Sequence, residues 1–289
     1  MKSNRISWFG QVGVYIGKCF RIFVNEKQWK SFISAAIITG IISMVTSDQM
    51  FIDYKDTKNG FFAVICACVW TGLFNSIQSI CRERAIIKRE HRTGLYLSSY
   101  VTAHAVYEAA LCAVETMIIL VLVYWKNHEH FPKDGLIGPA FLDMYFTLFL
   151  VVFSADCLAI LVSSTVRKEN TAMTVMPFVL IIQLVMSGAV FPLKNLSETI
   201  SRFTVSKWGM EGVLRVSNTI DELYSLPITH EMFKHTNEFY FKGDEVMFPM
   251  MEPETNPFLH AWSILAISAV AYLLLSILVL QLVDKDKRL

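Results

Sequence analysis

Long runs of apolar residues, separated by short polar or charged stretches, make up most of the chain. A membrane-spanning helix needs about 20 predominantly apolar residues, and six of the runs approach or exceed that length. We therefore predict an all-α integral membrane protein with six transmembrane helices. The predicted spans cover residues 31–47, 60–80, 101–125, 139–165, 172–193 and 259–283.

Two further segments mix apolar and polar positions. Residues 5–29 have a broad apolar side flanked by basic positions such as Lys18 and Arg21, which predicts an amphipathic helix on the inner membrane surface. Residues 194–258 form the predicted outer loop before the last span. Its first part interleaves Leu196 and Ile200 with polar residues, so we expect re-entrant or interfacial helices there, broken near 205–206.

Composition supports a membrane protein and argues against other classes. Hydrophobic residues make up 54% of the chain and its mean hydropathy is +0.44. The formal net charge of +1 implies no nucleic-acid partner. The six cysteines fall in predicted membrane or cytoplasmic segments, so we expect neither an extracellular disulfide framework nor a metal site. We see no secretory signal peptide.

Basic residues fix the predicted orientation. The segment 81–100 contains five of them, Arg82, Arg84, Lys88, Arg89 and Arg92. Because basic loops face the cytoplasm, this segment and both termini are expected inside, with the acidic loop at 220–255 outside. Residues 1–289 then form a single membrane domain of a multi-pass protein in the cell membrane.

The order of residues resembles a known family in three places. The motifs Glu83-Arg84, Arg89-Glu90 and Ser98-Ser99-Tyr100 resemble the first intracellular loop of G-subfamily ABC exporters and their bacterial ABC-2 relatives. Ser187-Gly188, Phe191-Pro192-Leu193 and Lys207-Trp208 with Glu211-Gly212 resemble the segment after span five of the same family. The short loops and one large outer loop are also similar. The bacterial relatives make a bacterial plasma membrane the expected location.

The resemblance implies roles for individual residues. It implies that 81–100 is a loop that couples to an ATPase subunit, through Glu83, Arg84, Arg89 and Glu90. Spans two and five would line a substrate pathway, and a hydrophobic plug would close its outer end. The implied pathway residues are Cys68, Thr71, Pro177, Leu180, Ile181 and Leu184, and the implied plug residues are Ala189 and Val190.

A polar face on the second span has two interpretations. Thr71, Asn75 and Gln78 recur at helical spacing and share one face. Polar side chains in lipid turn toward a partner helix or a cavity, so this face either binds a neighbouring helix or lines the pathway. We include Asn75 among the candidate pathway residues. The pathway positions are mostly apolar, which favours an apolar or amphipathic cargo such as a drug, lipid or peptide.

Carboxylates inside predicted spans support a rival hypothesis. His104, Glu108 and Glu115 lie on one stripe of span three, and span four contains Asp143 and Asp156. Buried carboxylates are costly and often functional, so a proton-coupled carrier using Glu115 and Asp156 is the second hypothesis. The roles of Glu108 and Asp143 stay open, as does a third class, a non-transporting membrane scaffold or sensor.

The favoured interpretation is the permease subunit of an ATP-driven exporter rather than an enzyme. Gly17-Lys18 does not complete a P-loop, because position 12 is Val and position 19 is Cys. We therefore expect no cofactor in this chain, with ATP and Mg²⁺ bound by a separate ABC ATPase subunit. The other expected partners are membrane lipid and a second membrane subunit, identical or a paralogue.

Overall fold

The computed structural model describes residues 7–47, 50–52, 54–135, 138–191, 193, 196–217 and 257–285. Within these ranges the protein is helical, and no β-strand occurs beyond an isolated bridge between Asp134 and Pro139. The acidic loop at 220–255 lies outside the described residues. The helices are α1 (Trp8–Asn25), α2 (Lys30–Val45), α3 (Tyr54–Ser76), α4 (Ser79–Arg92), α5 (Leu97–Asn127), α6 (Ala140–Thr165), α7 (Glu169–Val185), α8 (Leu196–Ser201), α9 (Val205–Val216) and α10 (Pro257–Lys285).

The prediction of a multi-pass, all-helical membrane protein agrees with these helices. Four helical segments in the described ranges are long and apolar enough to cross a membrane, namely Lys55–Arg92, α5, α6 and Leu259–Leu282. The pair α1 and α2, bent by 68°, meets the same criterion only when taken together. The described residues therefore support four or five membrane spans, and the total of six remains a prediction.

Length explains why the predicted first and fifth spans fall short. Helix α2 has 16 residues and α7 has 17. At about 1.5 Å per residue neither reaches the roughly 30 Å of a bilayer core. Helix α7 ends at Val185, before the predicted boundary at 193, and Gly188 three residues later adopts a positive φ of 75°.

The boundaries of two other segments differ from the prediction. The predicted coupling loop 81–100 is mostly helical, since α4 extends to Arg92 and α5 already begins at Leu97. The predicted break near 205–206 lies slightly earlier, between α8, which ends at Ser201, and α9, which begins at Val205.

Helix α6 is the centre of the core. Its side chains Val151, Val152 and Ala155 are completely buried. Helix α3 approaches it so closely that a Cβ on Gly72 would lie 2.3 Å from the carbonyl oxygen of Val152. On another side, the hydroxyl of Ser154 donates a 2.9 Å hydrogen bond to the carbonyl of Leu265 in α10. Helix α6 thus fixes the positions of α3 and α10.

Candidate functional site

Helix α1 holds the turn between α4 and α5 through Gln11. The carboxamide nitrogen of Gln11 donates to the carbonyl of Gly94 at 3.2 Å. Its oxygen accepts from the backbone N–H of Tyr96 at 2.9 Å and from the hydroxyl of Ser99 at 3.0 Å. Trp8 adds a 3.0 Å bond from its indole nitrogen to the hydroxyl of Ser98. The side chain of Gln11 therefore forms hydrogen bonds with groups on both sides of the turn.

Two acidic residues of α4 also bind α1. The ammonium of Lys18 lies 2.8 Å from Oε2 of Glu83. The hydroxyl of Tyr15 donates to the carboxylate of Glu90. Burial, and then the hydrogen bond to Glu90, raise the pKa of Tyr15, so the phenol stays protonated and remains a donor.

Helix α4 is anchored to α6 at its other side. The backbone N–H groups of Ile80 and Cys81 both donate to the hydroxyl of Ser163, at 3.1 Å each. This caps the first turn of α4, whose amides have no partner within the helix. The guanidinium of Arg84 donates to the carbonyl of Val166 just after α6.

The four predicted coupling residues therefore lie in different surroundings. Glu83, Arg84 and Glu90 contact other parts of this chain, whereas Arg89 is exposed. Ile86 is exposed one helical turn before Arg89, so the outward face of α4 combines an apolar and a basic side chain. Such a face suits a groove on a partner protein.

The candidate pathway residues divide by burial. Cys68, Thr71 and Leu180 are buried, and Asn75 and Leu184 are half-buried. Pro177 and Ile181 lie on an exposed face of α7, with 55% of Ile181 accessible. Just after α7, Ala189 is half-buried and Val190 is exposed. The helices α3 and α7 are neighbours, and the exposed face of α7 is apolar.

The buried carboxyl groups of α5 and α6 lie near one another, and Asp156 interacts electrostatically with both Glu108 and Glu115. Glu115 accepts a 2.7 Å hydrogen bond from the amide of Asn75, so one member of the α3 polar face binds a neighbouring helix. Glu108 and Asp156 instead lie beside the hydroxyl of Ser76. Both carboxyl oxygens of Asp156 lack a hydrogen-bond partner of regular geometry among the described residues.

Within the described ranges, no three His, Cys, Asp or Glu side chains come together as ligands. Cys66 and Cys68 are free thiols inside α3. The described residues offer an exposed face on α4 at Ile86 and Arg89 and an exposed apolar face on α7.

Comparison with known proteins identifies the family. The family model described as "ABC-2 type transporter" matches residues 16–216. The chain belongs to the ABC-2 type transporter family. ABC transporter G family member 25 of Arabidopsis thaliana is 23% identical over 175 residues, which cover 58% of this chain and 25% of that protein.

A second relative combines two activities in its name. The ABC transporter ATP-binding/permease protein Rv1747 of Mycobacterium tuberculosis is 22% identical over 216 residues, 70% of this chain and 25% of that protein. The matched regions thus cover about a quarter of either relative. The family makes this chain a membrane component of an ABC transporter.

Several site residues of this ABC-2 protein escaped the sequence analysis. Tyr15 and Ser163 gave no signal, because each is an ordinary residue of an apolar segment until the fold pairs it with α4. Gln183 did give one, since it is a polar side chain within the apolar run 172–193. A polar residue in such a run turns toward a partner.

Proposed function

We propose that this chain is the permease subunit of an ATP-driven ABC exporter, working with a separate ATPase subunit that binds ATP and Mg²⁺. The observation that supports it is the arrangement of α4. Contacts to α1 and α6 hold this helix rigidly and leave Ile86 and Arg89 exposed, so a force applied there is transmitted to the spans.

The proposed cargo is an apolar or amphipathic compound such as a drug, lipid or peptide. Support comes from the exposed face of α7, where Phe178 and Ile181 offer apolar surface without charge. One chain supplies only one wall, so a second membrane subunit, identical or a paralogue, would complete the pathway. ATP binding would draw the coupling helices together and switch access from inside to outside.

The proposal includes a location and an orientation, a bacterial plasma membrane with both termini in the cytoplasm. Single-cysteine labelling tests the orientation. A membrane-impermeant maleimide added to intact cells should modify Tyr240→Cys in the outer loop and spare Arg92→Cys at the end of α4. The opposite labelling pattern would show that the protein is inverted.

Affinity purification in mild detergent tests the energy source. An ATPase with Walker motifs should co-purify, and the reconstituted pair should export cargo only with ATP and Mg²⁺. Mass spectrometry of the same preparation would identify bound lipid and the second membrane subunit. Transport by the purified chain alone, driven by a pH gradient, would overturn the proposal.

A proton-coupled carrier is the second candidate, and the burial of Glu108, Glu115 and Asp156 favours it. The double variant Glu115→Gln, Asp156→Asn separates the two mechanisms. Glutamine can still accept the bond from Asn75, so the fold should survive. An ATP-driven pump should keep transporting, whereas a proton carrier should stop. The third candidate, a scaffold or sensor, would show no transport in either form.

A further inference from the structure

The C-terminal end of α7 meets the N-terminal end of α9 at Gln183. The carboxamide oxygen of Gln183 accepts from the backbone N–H of Val205 at 2.9 Å and of Ser206 at 3.3 Å. In return, the hydroxyl of Ser206 donates to the backbone carbonyl of Gln183. The contact is completely enclosed, since Gln183 is 5% exposed and Ser206 is 0% exposed.

This exchange satisfies backbone groups that neither helix can satisfy alone. The first amides of a helix and its last carbonyls lack partners within the helix. Thr204, the residue before α9, makes no side-chain capping bond to it, so Gln183 of another helix serves as the cap. The negative end of α7 also faces the positive end of α9, which is a favourable arrangement of helix dipoles.

Helix α9 is itself fixed to the core. A Cβ on Gly209 would lie 2.7 Å from Cγ2 of Val151, and one on Gly212 would lie 2.7 Å from Cγ2 of Thr147. Contacts this close leave α9 no room to move toward α6. Helix α9 therefore belongs to the same rigid unit as α6.

Helix α7 has far less packing to hold it. Its buried stripe is narrow, and Phe178 and Ile181 on the other side are exposed. The stripe consists of Ala172, Met176, Leu180 and Gln183. Of that stripe, Gln183 alone is polar, and it lies within the last turn of the helix. The outer end of α7 is thus positioned by hydrogen bonds to α9 as well as by apolar contact.

We propose that Gln183 is the positioning residue that fixes the outer end of α7, and with it the plug residues Ala189 and Val190, to the rigid unit of α6 and α9. The inference rests on the proposed function, in which this end of the pathway must stay closed until transport. Because the bonds are enclosed, breaking them leaves amide groups without a partner, and this cost opposes opening.

Labelling of Val190→Cys measures the position of the plug. Val190 is 53% exposed, and the six native cysteines can be followed separately by mass spectrometry. A membrane-impermeant maleimide is added to intact cells that carry Val190→Cys alone or with Gln183→Met. Methionine has the same length but only a weakly accepting sulfur in place of the carboxamide oxygen, so we expect the labelling rate to rise about tenfold, as for a lost buried hydrogen bond.

Three companion variants separate positioning from general destabilisation. Gln183→Glu keeps an acceptor oxygen and should restore the slow rate. Ser206→Ala removes the returning bond and should give a smaller increase, which tests the same contact should Gln183→Met be absent from membranes. Ser163→Ala removes a cap of two amides from α4 at the opposite end and should leave the labelling of Val190→Cys unchanged.

Each outcome has a clear meaning. The inference would be overturned if Val190→Cys were labelled at the same rate with and without Gln183→Met. It would also be overturned if Ser163→Ala raised the labelling rate as much as Gln183→Met does. Labelling of Val190→Cys only in inside-out vesicles would instead contradict the orientation in the proposed function. The rate comparison would then be made in those vesicles, where it still decides the role of Gln183.

Discussion

The ammonium of Lys18 lies 2.8 Å from the carboxylate of Glu83, and this ion pair joins the amphipathic helix α1 to α4. Both groups are partly shielded, with 31% and 15% of their side chains exposed. The hydroxyl of Tyr100 donates a second bond to the same carboxylate at 3.0 Å. Glu83 in α4 thus connects three helices, since Lys18 lies in α1 and Tyr100 in α5.

Removing Lys18 should loosen α1. We expect Lys18→Ala to lower stability by about 1 kcal/mol, as for a partly exposed ion pair. Thermal unfolding in detergent measures the loss. Lys27→Ala is the control, because Lys27 is an exposed lysine in the turn just after α1. An equal loss in both variants would contradict a specific role of the pair.

The reactivity of Cys19 reports whether α1 leaves its site. Burial raises the pKa of the Cys19 thiol to about 12, so it should react slowly with maleimide at pH 8. Lys18 lowers that pKa, so its removal should slow the reaction further if α1 stays docked. Exposure of Cys19 should accelerate it. Faster labelling in Lys18→Ala would show undocking, and slower labelling would show that the helix holds.

The four coupling residues should separate into two classes on mutation. Arg89→Ala should weaken the proposed coupling of ATP hydrolysis to transport without changing the unfolding temperature, because Arg89 is exposed. Glu83→Ala should weaken the coupling and also lower the unfolding temperature, since Glu83 is bound to Lys18 and Tyr100. ATPase rates with and without the permease, together with melting curves, check this. Normal coupling in well-folded Arg89→Ala would remove that residue from the docking face.

Tryptophan substitution should distinguish pathway surface from protein core. Ile181→Trp places the ring on an exposed face and should block export while membrane levels stay normal. Thr71 is 5% exposed, so Thr71→Trp should overpack the interior, cost about 1–3 kcal/mol or more, and reduce the amount of folded protein. Export assays normalised to the protein in the membrane compare the two. Unimpaired export by Ile181→Trp would argue against a pathway along α7.

Long apolar runs predicted the helical class and the presence of several helices long enough to cross a membrane, because lipid-facing and core-facing helices both require such runs. They could not show that Glu108 and Asp156 both lie beside Ser76 while Glu115 binds Asn75. Those pairings depend on the rotation of α3, α5 and α6 about their axes, which packing sets. The contacts of Gln11 were equally hidden, since they join residues more than 80 positions apart.

The close approach of α3 to α6 gives the sharpest test of that packing. Gly72→Ala would place a methyl group 2.3 Å from the carbonyl oxygen of Val152 and 3.0 Å from Cβ of Ala155. A backbone atom cannot move aside as a side chain can, so the two helices must separate, at a cost of about 1–3 kcal/mol.

Gly40 in α2 provides the matched control for Gly72. A Cβ there meets nothing within 4 Å, so Gly40→Ala should gain only from the better helix propensity of alanine, about 0.5–1 kcal/mol. We therefore expect Gly72→Ala to lower the unfolding temperature and Gly40→Ala to raise it, although the chemical change is the same. If Gly72→Ala also raised the unfolding temperature, α3 and α6 could not be packed as closely as the structure has them.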